Sequence, residues 1–216
     1  MRNHYWKAAL LLPLFFLLPM LANAEIPWTG AQTHTVVGGE IPLPASLSIE
    51  AESSSPKTEP KNNLSLYGSA HFIWVPETKA ASFYSYFGPK WYVEPWFWLA
   101  PQFGFAGRAT ADGKDAGIAG LWSNITILTG QLSFFLESEA YLNEKAHDYS
   151  GYYAPDYHPI DWLNIGAHVD QFNTDFKFGP HIGFSKGPWQ GEIRYYLGLQ
   201  RGNKGQTVRF CNFIMF

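Results

Sequence analysis

Residues 131–143 read QLSFFLESEAYLN, and their side chains fall into two unlike sets. Leu132, Phe134, Leu136, Ala140 and Leu142 share one parity, while Gln131, Ser133, Glu137, Glu139 and Tyr141 share the other. Successive side chains of an extended chain point to opposite faces, so this stretch is a strand with one greasy face and one carboxylate-bearing face. Residues 174–185 repeat the pattern, with Phe176, Phe178, Ile182 and Phe184 set against Asp175, Lys177, His181 and Ser185. In residues 190–200, Ile193, Tyr195, Leu197 and Leu199 oppose Glu192, Arg194 and Tyr196. From about residue 64 onward such segments follow one another, separated by Gly, Pro, Asn and Asp, so the fold class is all-β.

The whole chain has 216 residues and a formal net charge of −3, with 15% charged and 18% aromatic residues. The length fits one domain, or one domain with a tail. The charged share lies below the ordinary value of about 25%, which disfavours long disorder, and the mildly acidic balance disfavours a nucleic-acid partner. A single cysteine excludes an intrachain disulfide and any multi-cysteine metal site.

Arg2 and Lys7 precede an apolar stretch from Ala8 to Met20 that ends in Ala22-Asn23-Ala24, the pattern of a cleaved secretory signal peptide. Residues 1–24 are therefore read as an export signal. Glu25 follows the cut, so a lipid-modified cysteine is not expected there. Residues 25–63 are rich in Pro, Ser, Thr and Glu and read as a flexible periplasmic arm, with 47–51 a stray alternating run. Residues 64–216 form the folded domain.

Two arrangements bury alternating strands. A soluble sandwich or lipocalin-like carrier points the greasy faces inward. A membrane barrel points them at lipid and encloses the polar faces, with every backbone group paired. The last segment places Val208, Phe210, Ile214 and Phe216 at alternate positions and ends on an aromatic residue, with Asn212 interrupting the apolar row. Segments of about ten residues suit a tilted membrane strand, and aromatic clusters at 91–98 and at Tyr152-Tyr153 suit interfacial girdles. On these features the chain resembles the broad family of small Gram-negative outer-membrane β-barrel proteins over roughly its last 150 residues.

That resemblance implies a closed antiparallel transmembrane barrel in the cell outer membrane. Its expected partners are outer-membrane lipids and, through the C-terminal strand, the barrel-assembly machinery. Nine segments are evident: 64–75, 82–93, 96–107, 116–128, 131–143, 160–171, 174–185, 189–200 and 206–216. With both termini on the periplasmic side the count must be even, so residues 149–157 supply a tenth strand, or eight strands close with one segment left outside. Phe87-Gly88-Pro89 and Phe178-Gly179-Pro180 are read as β-bulges that bend the wall.

The enclosed faces carry the candidate site, a polar lumen network of Lys90, Glu137, Glu139, His168, Asp170, Asp175, Lys177, His181, Glu192, Arg194 and Arg209. Tyr84, Tyr86, Glu94, Gln102, Asn124 and Asn164 share the inward parity. A tight turn at 171–174 would set Asp170 opposite Asp175, His168 opposite Lys177 and Asn164 opposite His181. Narrow barrels fill their interiors with compensated charge, because an unpaired buried charge is costly. The function read from this is a structural or narrow-pore, porin-like barrel of the cell envelope. The alternatives are an outer-membrane enzyme or ligand binder using the polar cluster on 160–200, and a soluble carrier.

No nucleotide-binding, HExxH or GxSxG signature is present. No catalytic residue, cofactor or metal site is assigned. The facing aspartates and His168 resemble the omptin outer-membrane proteases only in residue type and strand number, and nothing is carried over from them. Ser69 with His71 and Ser185 with His181 lack a third partner. His147, Asp148 and His158 form a weak metal pattern, and Cys211 is read as a small packed residue.

Overall fold

The computed structural model describes residues 28–44, 63–76, 78–107, 114–143, 147–198 and 205–216. The expected export signal, the run 47–51 and the Ser/Pro-rich part of the expected arm lie outside these residues. Among them, eleven strands close into a barrel: β1 (Trp28–Pro42), β2 (Leu64–Val75), β3 (Ala80–Glu94), β4 (Phe97–Gly107), β5 (Ala116–Ile127), β6 (Leu132–Leu142), β7 (His147–Ile160), β8 (Leu163–Phe172), β9 (Asp175–Lys186), β10 (Trp189–Gly198) and β11 (Gly205–Met215). Each strand pairs antiparallel with its sequence neighbour, and β1 closes the wall parallel to β11.

The tenth segment expected at 149–157 lies inside β7. The eleventh strand corrects two expectations. Residues 28–42 are not a flexible arm but a wall strand paired along most of its length with both β11 and β2. The wall is mixed rather than purely antiparallel, so the even-number rule does not apply: Trp28 sits beside Gln206 and Gly38 beside Met215, which places Trp28 and Phe216 at opposite ends. The physical reason is closure. Without β1, the edges of β2 and β11 would each present a row of unpaired N–H and C=O groups. Its outward Thr33, Thr35 and Val37 are exposed while His34 and Val36 are buried, an alternation hidden in the sequence by the small polar look of threonine, although threonine is a good strand former.

The two barrel ends differ. The end carrying Phe216 has turns at residues 95–96, 128–131, 161–162 and 187–188, together with the long connection from β1 to β2. Gly187 (φ 60°) supplies the left-handed residue of the last of these turns. At the opposite end β8 and β9 join through a two-residue turn in which Asn173 adopts φ 53°, a conformation asparagine tolerates. That turn is two residues tighter than the one assumed from the sequence. Asp170 therefore faces Lys177, His168 faces Gly179 and Asn164 faces Gly183, instead of the partners expected.

The side-chain sorting is inverted relative to a globular core. Phe72, Phe87, Phe103, Phe105, Leu121, Phe134, Leu136, Phe184, Ile193 and Phe210 are exposed on the outer face, while Glu139, His168, His181, Glu192 and Arg194 are buried inside. Leu197 departs from its row and is 4% exposed. On β11, Val208, Phe210, Asn212 and Ile214 point outward, and Phe216 at the end of the chain is exposed. Exposed Trp96, Trp162 and Trp189 all lie at the Phe216 end. Tyr152, read from the sequence as a girdle residue, instead lines the interior.

The two Phe-Gly-Pro segments are not bulges. Pairing of β3 with β4 lapses between Phe87↔Phe103 and Trp91↔Leu99 and resumes in the same register; pairing of β9 with β10 does the same between Arg194↔His181 and Leu197↔Phe178. The gaps fall at Pro89 opposite Pro101 and at Pro180 opposite Tyr195, where proline has no N–H to donate, and the glycine beside each lets a neighbouring carbonyl come close. A Cβ at Gly88 would lie 2.0 Å from Pro101 O, and one at Gly179 would lie 1.8 Å from Tyr195 O. Gly179→Ala is therefore expected to prevent closure of β9 on β10 and abolish the heat-modifiable, folded gel band, whereas Gly117→Ala, whose Cβ would stand 3.8 Å from the nearest backbone oxygen, should leave that band intact.

Candidate functional site

The inward faces enclose a cavity of about 770 Å³. Its lining extends from Asp175 and Lys177 near the β8–β9 turn to Lys90, His158 and Gln190 near the opposite end. Chain order divides its wall in two. Strands β2 to β6 contribute mostly rings: Tyr67, His71, Tyr86, Trp98, Trp122, Phe135 and Tyr141. Strands β7 to β11 contribute most of the charge: Asp156, Asp170, Lys177, Glu192, Arg194 and Arg209.

On the ring side, Tyr86, Trp122 and Tyr141 pack with Ala100, Ala106, Ala116 and Ile118 as one cluster. Trp122 stands 4.9 Å from Tyr86 between ring centroids, and His71 stands 4.8 Å from Tyr86. Glu139, 1% exposed, is held within this cluster by Trp122 Nε1 (3.0 Å), Tyr86 Oη (3.1 Å) and Tyr141 Oη (2.8 Å), all donating to its carboxylate. Three neutral donors thus satisfy the charge without an ion pair, as burial demands. Glu137, two residues earlier on the same face, lies in register between Trp122 and Tyr152 and lines the cavity.

Near the Phe216 end, Lys90 Nζ donates to Glu40 at 2.7 Å and lies over the Tyr92 and Trp98 rings at 4.8 and 4.6 Å. Tyr92 Oη and Ser65 Oγ donate to the other oxygen of Glu40. The strand missed in the sequence thus supplies the counter-ion of Lys90.

On the charged side, Arg194 donates through Nε to Glu192 and lies over Tyr152 at 4.6 Å and Phe213 at 5.6 Å. Arg209 lies over Tyr196 at 4.6 Å, donates to Gln32 Oε1 at 3.0 Å and approaches Asp170 at 3.5 Å. The two guanidiniums are cross-strand neighbours, which like charges tolerate here because each has its own carboxylate and ring face. His181 Nε2 meets Asp156 Oδ1 at 2.5 Å, while its Nδ1 meets His168 Nδ1 at 3.2 Å. Asn164 Nδ2 donates to Asp156 Oδ1 (3.1 Å) and Glu192 Oε1 (3.4 Å).

Of the eleven residues singled out in the sequence, Lys90, Glu137, Asp170, Asp175, Lys177, Glu192, Arg194 and Arg209 line the cavity, and Glu139, His168 and His181 are buried beside it. Glu94 is exposed at the end of β3, outside this set. Asp156, His34 and Glu40 were missed. Asp156 shares parity with Tyr152 and Ala154 on a strand that had been recognised, so the alternation itself could have found it.

The weaker chemical patterns come apart. Ser69 Oγ is 3.0 Å from His71 Nε2, but among the described residues no carboxylate orients that ring. Ser185 donates to Asp161 O rather than to His181. His147 and His158 lie toward opposite ends of β7, roughly 35 Å apart at strand rise, so they share no ion. Asp170 and Asp175 do not face each other. Cys211 is buried at 2% exposure beside His34 and Glu192 on the neighbouring strands.

No family model, no curated protein and no solved structure matches this chain.

Proposed function

We infer that the chain is an outer-membrane β-barrel whose lumen is a narrow passage or holding chamber for small solutes, with a preference for cations. The observation that carries this reading is the inverted side-chain sorting. Bulky apolar residues cover the outer wall while carboxylates, histidines and guanidiniums are enclosed, an arrangement stable where the outside is hydrocarbon and the strands close on themselves without a free edge. Exposed Trp96, Trp162 and Trp189 at a single end support it, because tryptophan settles at the membrane–water interface. The inward-facing charges argue against the soluble-carrier alternative, whose barrel would enclose its apolar side chains.

The two-sided lumen supports a solute-handling role over a purely structural one. Among its lining groups, Glu137, Asp156, Asp170, Asp175 and Glu192 outnumber Lys90, Lys177, Arg194 and Arg209, and an excess of one sign raises the local concentration of the opposite one. In planar bilayers the protein is expected to conduct with a cation preference, and Glu137→Gln should lower the cation-to-anion permeability ratio severalfold. An impermeable barrel, or a ratio unmoved by that substitution, overturns the passage reading. Fractionation is the test of location: a mature chain that remains soluble without detergent overturns the membrane reading.

With the short-turn end facing the periplasm, the β1 topology sends Trp28 to the cell surface. An epitope inserted directly before Trp28 is expected to be labelled on intact cells. An epitope in the β1–β2 connection should be labelled only after permeabilisation.

A further inference from the structure

The geometry points to a divalent transition-metal site in the lumen wall, formed by Asp156, His181 and Glu192. Their nearest ligand atoms, one carboxylate oxygen from each acid and an imidazole nitrogen, lie within 4.8 Å of one another, with His181 Nε2 at 2.5 Å from Asp156 Oδ1 and 3.8 Å from Glu192 Oε1. Three lone-pair donors on β7, β9 and β10 therefore converge on one point. Two of them, Asp156 and Glu192, line the cavity and give ions a route in.

Room for this convergence is built into the backbone. A Cβ at Gly166 would fall 2.5 Å from His181 Nε2 and 2.7 Å from Asp156 Oδ1, and a Cβ at Gly183 would fall 2.0 Å from the Asn164 amide oxygen. The surrounding groups are those that orient metal ligands. His181 Nε2 donates to the Asp156 carboxylate, and His181 Nδ1 has His168 Nδ1 at 3.2 Å as partner; when an ion takes the place of the Nε2 proton, Nδ1 donates to His168 and the Nε2 lone pair faces the ion between the two carboxylates. The Nε2 of His168 is buried with no hydrogen-bond partner among the described residues. Arg194 holds the second oxygen of Glu192, directing the first toward the cluster. Asn164 touches both acids, and its amide rotated by half a turn would offer an oxygen as a fourth ligand.

One imidazole with carboxylate and amide oxygens suits a borderline ion such as Zn²⁺, Co²⁺ or Mn²⁺ better than a soft ion.

The experiment uses the full mature chain without a histidine tag, folded in detergent and stripped with chelator. Titration with Co²⁺ is expected to develop visible d–d bands that saturate at one ion per chain and are displaced by Zn²⁺. Asp156→Asn and His181→Gln should abolish the bands while preserving the folded, heat-modifiable species. The outer-shell change His168→Leu should weaken binding by roughly 10–100-fold. Folded protein without bands, or bands that survive both ligand substitutions, overturns the site. The site does not depend on membrane residence, because this titration reads the folded barrel alone while fractionation reads its location.

Discussion

Leu136→Arg is expected to cost about 2–4 kcal/mol and to block membrane assembly, because arginine near the bilayer midplane of a barrel wall must be drawn from water into hydrocarbon. Leu136 lies midway along β6 on the outward face and is 37% exposed. In a water-soluble barrel the same change at so exposed a position would shift stability by no more than about 0.5 kcal/mol. Urea titration of the protein folded into lipid vesicles, with recovery in the outer-membrane fraction alongside, gives the answer. A neutral result would place the outer face in water and remove the basis of the proposed function. Exposed positions of matching parity, such as Phe134 and Ile193, should behave the same way, so one insensitive site could not be dismissed as an accident of local packing.

Glu192→Ala should destabilise the barrel by about 3–5 kcal/mol, the range for removing one partner of a buried ion pair. Glu192 and Arg194 are both buried, and the truncation leaves the guanidinium over the Tyr152 and Phe213 faces without the carboxylate to which its Nε donates. It also removes one acceptor of the Asn164 amide. Replacing both charges, as Glu192→Leu with Arg194→Met, should recover most of the loss, since the cost lies in the stranded charge rather than in a missing attraction. Equilibrium unfolding of the two single variants and the double variant measures this directly as a coupling energy. A double variant as unstable as Glu192→Ala would mean that the pair contributes net stability, and would contradict the view of the lumen as a set of mutually compensated charges. Loss of Glu139 follows the same logic with neutral partners: the donors on Trp122, Tyr86 and Tyr141 would be left facing one another.

Both experiments probe the sorting that was legible in the chain. The alternation in residues 131–143 assigned Leu136 and Glu137 to opposite faces, and the structure keeps that division through β6. It was equally clear at 174–185 and 190–200, because a strand exposed to unlike media on its two faces must alternate in polarity. Strand β1 was not legible. Thr33 and Thr35 face outward beside Val37, and nothing in so polar a run distinguishes a wall strand from a tether until β2 and β11 present edges that need a partner. Partners across strands were equally hidden. One misplaced turn at Asn173 moved every β8–β9 pairing by two residues, keeping each side chain on its face but changing its neighbour, so Asp170 met Lys177 rather than another aspartate.

The sequence by itself determined that this chain forms alternating strands with one oily and one polar face, since that period is local and each residue carries it. Only the tertiary structure decided that eleven strands close, with β1 parallel to β11, and that Asp156, His181 and Glu192, distant along the chain, share one point in the wall. Those outcomes depend on register and edge pairing, which are set by turn geometry and by the demand that every backbone group find a partner, and neither is encoded in the period of a single strand.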